Sequence, residues 1–241
     1  MSNFIRPPQN EQEVITWRER ISSLVSGTRS FFALIADTAK FGDVANGNYS
    51  EFGTDGSLEF NGNATVYEDL QVSISNVRLP TANAPTWVMY DFGIASGVTF
   101  PVLGFALNEY FFFDIQSRHA MKLSSILGDH FHYSLPDTTD VGDNFKFQLD
   151  VIAAPYNGQW AVSTCFTFTK ETVVAANDDT YHRILDVADI PGVNTTVSTL
   201  YKCKLTRIAA TSNEYGSDVY VLFNDCHYEK DAVGSLTEYT K

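Results

Sequence analysis

Phe145-Lys146-Phe147-Gln148-Leu149-Asp150-Val151 alternates apolar and polar residues without a break. A period of two is the signature of a β-strand with one buried face and one solvated face. Val219, Val221 and Phe223 repeat the pattern. Between Ala64 and the C-terminus, further strand-like runs are separated by turn clusters. They are Val66–Ser75, Trp87–Phe92, Val98–Leu107, Tyr110–Gln116, His130–Leu135, Trp160–Thr169, His182–Val187, Leu200–Ile208 and Val219–Glu229. No helix-length periodicity falls between them, so residues 64–241 are expected to form an antiparallel β-sandwich or jelly-roll-like body. Tyr110, Phe111, Phe112 and Phe113 form a continuous aromatic run instead of an alternating one. Both faces of that strand therefore need cover, from a second sheet or from a neighbouring subunit, and the second option makes these four residues interface candidates.

Upstream the pattern changes. Asn10 with Glu13 fits a capping box, and Val14, Trp17, Ile21, Leu24 and Val25 recur at helical spacing. Residues 1–41 are therefore expected to be an arm and an amphipathic helical segment. Trp17, Ile21 and Leu24 would pack on the same domain, on a sister subunit or on another protein. Residues 42–63 are rich in Gly and Asn and read as a connector, with Tyr49–Phe52 and Ser57–Phe60 pairing as a hairpin around Asp55-Gly56.

The 241 residues include 44% hydrophobic and 14% aromatic residues, enough apolar surface for a substantial core. A net charge of −13 with only 16 Lys and Arg argues against nucleic acid as a partner, because such affinity rests on cations neutralising phosphates. The apolar runs are too short to span a bilayer as helices, so no membrane is expected as a partner. Met1–Gln12 lacks the pattern of a secretory leader, which points to cytoplasmic synthesis. Cys165, Cys203 and Cys226 are too few and scattered for a disulfide framework and are expected as buried thiols.

Phosphate-cradling loops, a nucleophile elbow and zinc-protease motifs are missing, so no enzyme is expected and no catalytic residue is assigned. Asp137, Asp140 and Asp143 sit in a turn and read as solvated acids, with calcium ligands or a glycosidase pair as the alternatives. Asp129-His130-Phe131-His132-Tyr133 carries the most specific local chemistry. On a strand His130 and His132 share a face, with their roots roughly 7 Å apart. They are either two polar residues on an outward face or ligands of a divalent transition metal. In a trimer with this strand on the axis, three chains would offer six imidazoles, a set suited to octahedral iron or nickel. His119, His182 and His227 read as isolated surface or interface histidines.

Two segments resemble a family of tailed-phage virion proteins of undefined role. The first is Glu59-Phe60-Asn61-Gly62-Asn63-Ala64-Thr65-Val66-Tyr67-Glu68-Asp69-Leu70. The second runs from Phe111-Phe112-Phe113-Asp114-Ile115-Gln116 through His119 and Lys122 to Asp129-His130-Phe131-His132-Tyr133. Arg118, Leu123-Ser124-Ser125 and Tyr133 depart from the family pattern. The resemblance implies a structural component of a virion, located in the head, collar, tail or fibre base. The aromatic run Tyr110–Phe113 is the ground for expecting self-assembly, as a trimer, and the N-terminal helical region for expecting attachment to other virion proteins. A glycan- or receptor-binding module of a fibre is the alternative, and a carbohydrate-active hydrolase a more distant one.

Overall fold

The computed structural model describes residues 39–53, 57–193, 196–235, 237–238 and 241. The helical stripe expected from Asn10 to Lys40, with Trp17, Ile21 and Leu24, lies outside them except at Ala39 and Lys40. Those two residues are not helical: they open a strand, β1 (Ala39–Asp43). β2 (Asn48–Phe52) and β3 (Leu58–Asn61) follow, and the three form a small sheet in the order β1-β2-β3. β2 and β3 are antiparallel, with Tyr49 opposite Asn61 and Phe52 opposite Leu58. Lys40–Lys241 forms one compact unit, so the connecting segment belongs with the β body.

The body contains β4 (Val66–Val72), β5 (Thr86–Tyr90), β6 (Phe100–Phe105), β7 (Tyr110–Gln116) and β8 (Leu127–Ser134). β9 (Asn144–Ala154), β10 (Cys165–Val173), β11 (Arg183–Ile190), β12 (Leu200–Ile208) and β13 (Val219–Lys230) complete it. One sheet has the order β10-β9-β12-β7 and the other β11-β8-β13-β6-β5, with β4 pairing the far end of β13. Every pairing within these two sheets is antiparallel. The chain is thus mainly β, an antiparallel sandwich.

Alternation decides which side chains meet between the sheets. β9 buries Phe145, Phe147, Leu149, Val151 and Ala153 and leaves the intervening residues half-exposed. Phe147 meets Phe105 and Phe131 from the opposite sheet, at ring-centroid distances of 5.5 and 4.6 Å. Such edge-to-face and tilted packing adds to the stability that burial alone provides. Arg207 on β12 ties the sheets together with polar bonds, donating to the carbonyls of Phe105 (2.8 Å) and Ser217 (2.6 Å) and to Glu214 Oε1 (2.9 Å).

The inward face of the aromatic run on β7 is covered within the chain. Phe111 and Phe113 are core residues, while Tyr110 and Phe112 lie half-buried on the other face. The outer edge of β7 is capped by residues 78–83: Arg78 and Phe112 exchange two main-chain bonds, and Tyr110 N–H donates to the Asn83 carbonyl. Phe111 and Phe113 thus cannot serve as interface residues, because the core already occupies their face. Cys203 and Cys226 are buried as expected, but Cys165 is exposed on the edge strand β10.

Arg78 also grips Asp114 with a two-pronged pair of 2.7 and 2.8 Å, and Lys202 adds a bond of 2.8 Å. The Arg78 hydrogen bonds, foremost, hold the Asp114 carboxyl at about 2. A carboxylate held below its unfolded value of about 3.9 stabilises the fold fully above about pH 4, and that contribution is lost as pH falls through about 2. With solvent screening at this partly exposed site it is worth about 1 kcal/mol. Asp114→Asn is expected to lower stability by about that amount at neutral pH and to flatten the acid limb between about pH 4 and 2. Urea unfolding at a series of pH values measures both.

Candidate functional site: a histidine and carboxylate cluster

β8 sends its odd-numbered residues inward, so Leu127, Phe131 and Tyr133 are core residues and His130 and His132 face away from the core. β13 begins with the same parity, with Val219 and Val221 buried in the core. A register irregularity between Val221 and Phe223 then inverts it. Asn224, Cys226 and Tyr228 become the inward residues, and Asp225 and His227 turn to the outer face beside the histidines of β8. Phe223 accordingly does not continue the inward pattern of Val219 and Val221; it packs against the His132 ring at 5.8 Å. β11 carries a similar shift between Asp186 and Ala188, and Asp186 lies opposite His130.

The result is a row of Asp186, His130 and Asp225 across three neighbouring strands. His130 Nε2 contacts Asp225 Oδ1, and His132 Nε2 lies 3.3 Å from the same oxygen. His132 Nδ1 is in hydrogen-bond contact with His182 Nε2, the two rings lying 13° from parallel. The His227 ring is tilted 58° to that of His130, with the ring centroids 4.4 Å apart, and its Nε2 lies 3.0 Å from Asp69 Oδ1 on β4. Four of the five histidines therefore gather on one sheet face. The His130 side chain is only 4% exposed within its own chain. Burial pushes the His130 and His182 imidazoles below their ordinary pKa, favouring the neutral ring.

Behind His130, on the core side, Asp129 accepts bonds from Asn224 Nδ2 (3.1 Å) and Cys226 Sγ (3.0 Å). Burial raises its carboxyl to about 7. The turn acids are elsewhere: Asp137 accepts from Thr139 N and Oγ1, as a turn residue does.

In front of His130 lies a cavity of about 740 Å³. Gly128, Asp186, Asp189, His227 and Glu229 line its sheet side, the segment Lys122–Ile126 forms a wall, and Tyr67 stands at the rim. Lys122 N–H donates to the Glu229 carbonyl and Lys122 Nζ to Glu229 Oε1, which fastens that wall to β13. Both segments that carry the family resemblance contribute, Tyr67 from the first and Lys122 and His130 from the second. Sequence reasoning found His130 and His132 but missed Asp225, His182 and His227. The alternation of Asp225 and His227 was a usable signal only with the pairing of β8 and β13 in hand.

The wall leans on Gly192, where an added Cβ would lie 2.1 Å from the Ser124 carbonyl oxygen and 2.3 Å from its carbon. At Gly128, on the floor, the nearest atom to an added Cβ is Asp189 Oδ1 at 3.7 Å. Gly192→Ala is therefore expected to cost about 1–3 kcal/mol by displacing backbone. Gly128→Ala is expected to cost less than about 0.5 kcal/mol, within the range of harmless surface changes. Denaturant midpoints of the two variants make the comparison.

Among the described residues no helix is long and apolar enough to cross a membrane. No protein-family model and no curated protein matches the chain. Among solved structures, it is similar to a chain in a structure of infectious bursal disease virus, Gx strain. That match has 7% identity and a TM-score of 0.34, and it covers 71% of this chain and 33% of the viral one. It is also similar to the module TmCBM61 in complex with β-1,4-galactotriose (11% identity, TM-score 0.26, 68% of this chain and 88% of the module). A xylan-binding module, CBM15, aligns at 10% identity and TM-score 0.28, over 68% of this chain and 97% of the module.

Proposed function

We propose that this chain is a non-enzymatic structural protein of a tailed-phage virion, assembling with copies of itself and attaching to other virion proteins. The observation that carries assembly is the edge strand β5. It ends the sheet order, and no described strand bonds to its far side. Trp87 and Met89 stand opposite Leu103 and Pro101 of β6, so Trp87 shares the face on which Leu103 is wholly buried. Yet Trp87 is 46% and Met89 61% exposed. Ile94, Val98 and Phe100 beside them in sequence are exposed as well.

An apolar edge to which no described strand bonds is a surface suited to pairing. A second copy is the partner that the charge distribution favours. Thr86–Leu107 contains a single charged residue, Asp91, in a chain of net charge −13. Copies repel each other over most of their surface and least over this stretch. The motif resemblance supplies the virion setting.

Light scattering at micromolar concentration is expected to give a discrete multimer, and Trp87→Asp with Met89→Asp to shift it to a monomer with the fold retained. A monomeric unsubstituted chain overturns assembly through β5. Mass spectrometry of purified particles of the phage that encodes the chain tests the setting, and absence of the chain from them rejects it.

Glycan binding is a second reading, favoured by Tyr67, which is 77% exposed at the rim of a cavity lined with carboxylates and hydroxyls. Exposed aromatic rings stack on sugar faces and carboxylates accept sugar hydroxyl bonds. A glycan array on which the chain binds and Tyr67→Ala does not would support it; an array without binding removes it.

A further inference from the structure

We propose that His130, His132 and Asp225 of a single chain bind one divalent first-row transition-metal ion, with His182 positioning His132. The site is independent of the virion role and of the assembly edge. One nitrogen from each imidazole and one Asp225 oxygen all lie within 4.8 Å of one another. Metal–ligand bonds of about 2.1 Å at a tetrahedral angle place two ligand atoms roughly 3.4 Å apart, so the widest separation in the set needs to close by at most about 1.4 Å. Rotation of a histidine or aspartate side chain supplies that movement without disturbing either strand.

The donor set selects the class of ion. Two imidazoles and a carboxylate suit zinc, cobalt, nickel or iron, whereas calcium and magnesium take oxygen ligands. Three protein ligands leave at least one coordination position for water or another group. His130 lines the cavity, so a ligand there has room to approach. The surroundings favour a cation: Asp186 lies opposite His130, and Asp189 lines the same cavity.

His182 supplies what a ligating histidine needs on its other nitrogen. With His132 Nδ1–H donating to His182 Nε2, His132 Nε2 keeps its lone pair free on the side of Asp225. Without metal, that nitrogen instead carries the proton and donates to the carboxylate. The two tautomers are the two states that the site switches between, and only the first coordinates an ion.

The inference contrasts with six imidazoles on a trimer axis, because the third ligand comes from the same chain and His130 is enclosed by it. Stoichiometry separates the two arrangements. The full chain, purified without a histidine tag and stripped with chelator, is titrated with Co²⁺ by calorimetry and visible absorption. One ion per chain is expected, with the visible bands of nitrogen-ligated cobalt. His130→Ala with His132→Ala is expected to abolish binding, and Asp225→Asn, which keeps the shape and a hydrogen-bonding oxygen, to weaken it at least tenfold. His182→Ala is expected to weaken binding about 10- to 100-fold, the usual effect of losing such a partner. His119→Ala, at a histidine bonded to Ser235 away from the cluster, should leave binding unchanged. Circular dichroism confirms that each variant is folded; should the double alanine variant unfold, Asp225→Asn alone decides. One ion per three chains, no binding, or binding that Asp225→Asn leaves unchanged overturns the proposal.

Discussion

Strand β13 is the constraint on which both the sandwich and the cluster depend. Along one side it pairs with β8 from Tyr220 to Tyr228. Along the other it pairs first with β6, from Val219 to Val221, and then with β4, from Asn224 to Lys230. One strand thus joins three others, β4, β6 and β8. Its irregularity at Leu222 and Phe223 is as consequential as its pairing. With unbroken alternation from Val219 and Val221, Asp225 and His227 would point between the sheets, among groups that cannot solvate them, at a cost of several kcal/mol. The extra residue turns both outward, where the histidines of β8 meet them.

The core tolerates one polar island directly beneath this cluster. Asp129, Asn224 and Cys226 bond to each other between the sheets, and the second oxygen of Asp129 has no partner among the described residues. Burial at this point raises the Asp129 carboxyl and the Cys226 thiol, so each favours its neutral, proton-donating form. On the outer face the cluster is flanked by the carboxylates of Asp225 and Asp186.

Strand positions were legible because alternation is local: Tyr110–Gln116 and Leu200–Ile208 have the expected bounds. The common face of His130 and His132 was legible for the same reason. Asp225, His182 and His227 were not, since they reach the pair across strands whose partnership no local pattern records and through an irregularity that reverses parity. The aromatic run at Tyr110–Phe113 shows the limit from the other side. Sequence demanded cover for both faces, whereas tertiary contact buries Phe111 and Phe113 in the core, leaves Tyr110 and Phe112 half-buried and bonds residues 78–83 to the strand's edge.

The two surfaces with proposed roles do not compete for space. In the sheet order β11-β8-β13-β6-β5, the strand β8 that carries His130 and His132 is three places from the open edge β5. At about 4.8 Å per strand this is roughly 14 Å. The faces also differ. Trp87 stands on the face it shares with buried Leu103, whereas the histidines stand on the opposite face, away from the core. A partner that continues the sheet from β5 and covers Trp87 and Met89 therefore leaves the cavity before His130 open. Sandwich geometry thereby separates the proposed association edge from the acidic outer face that carries the histidine cluster.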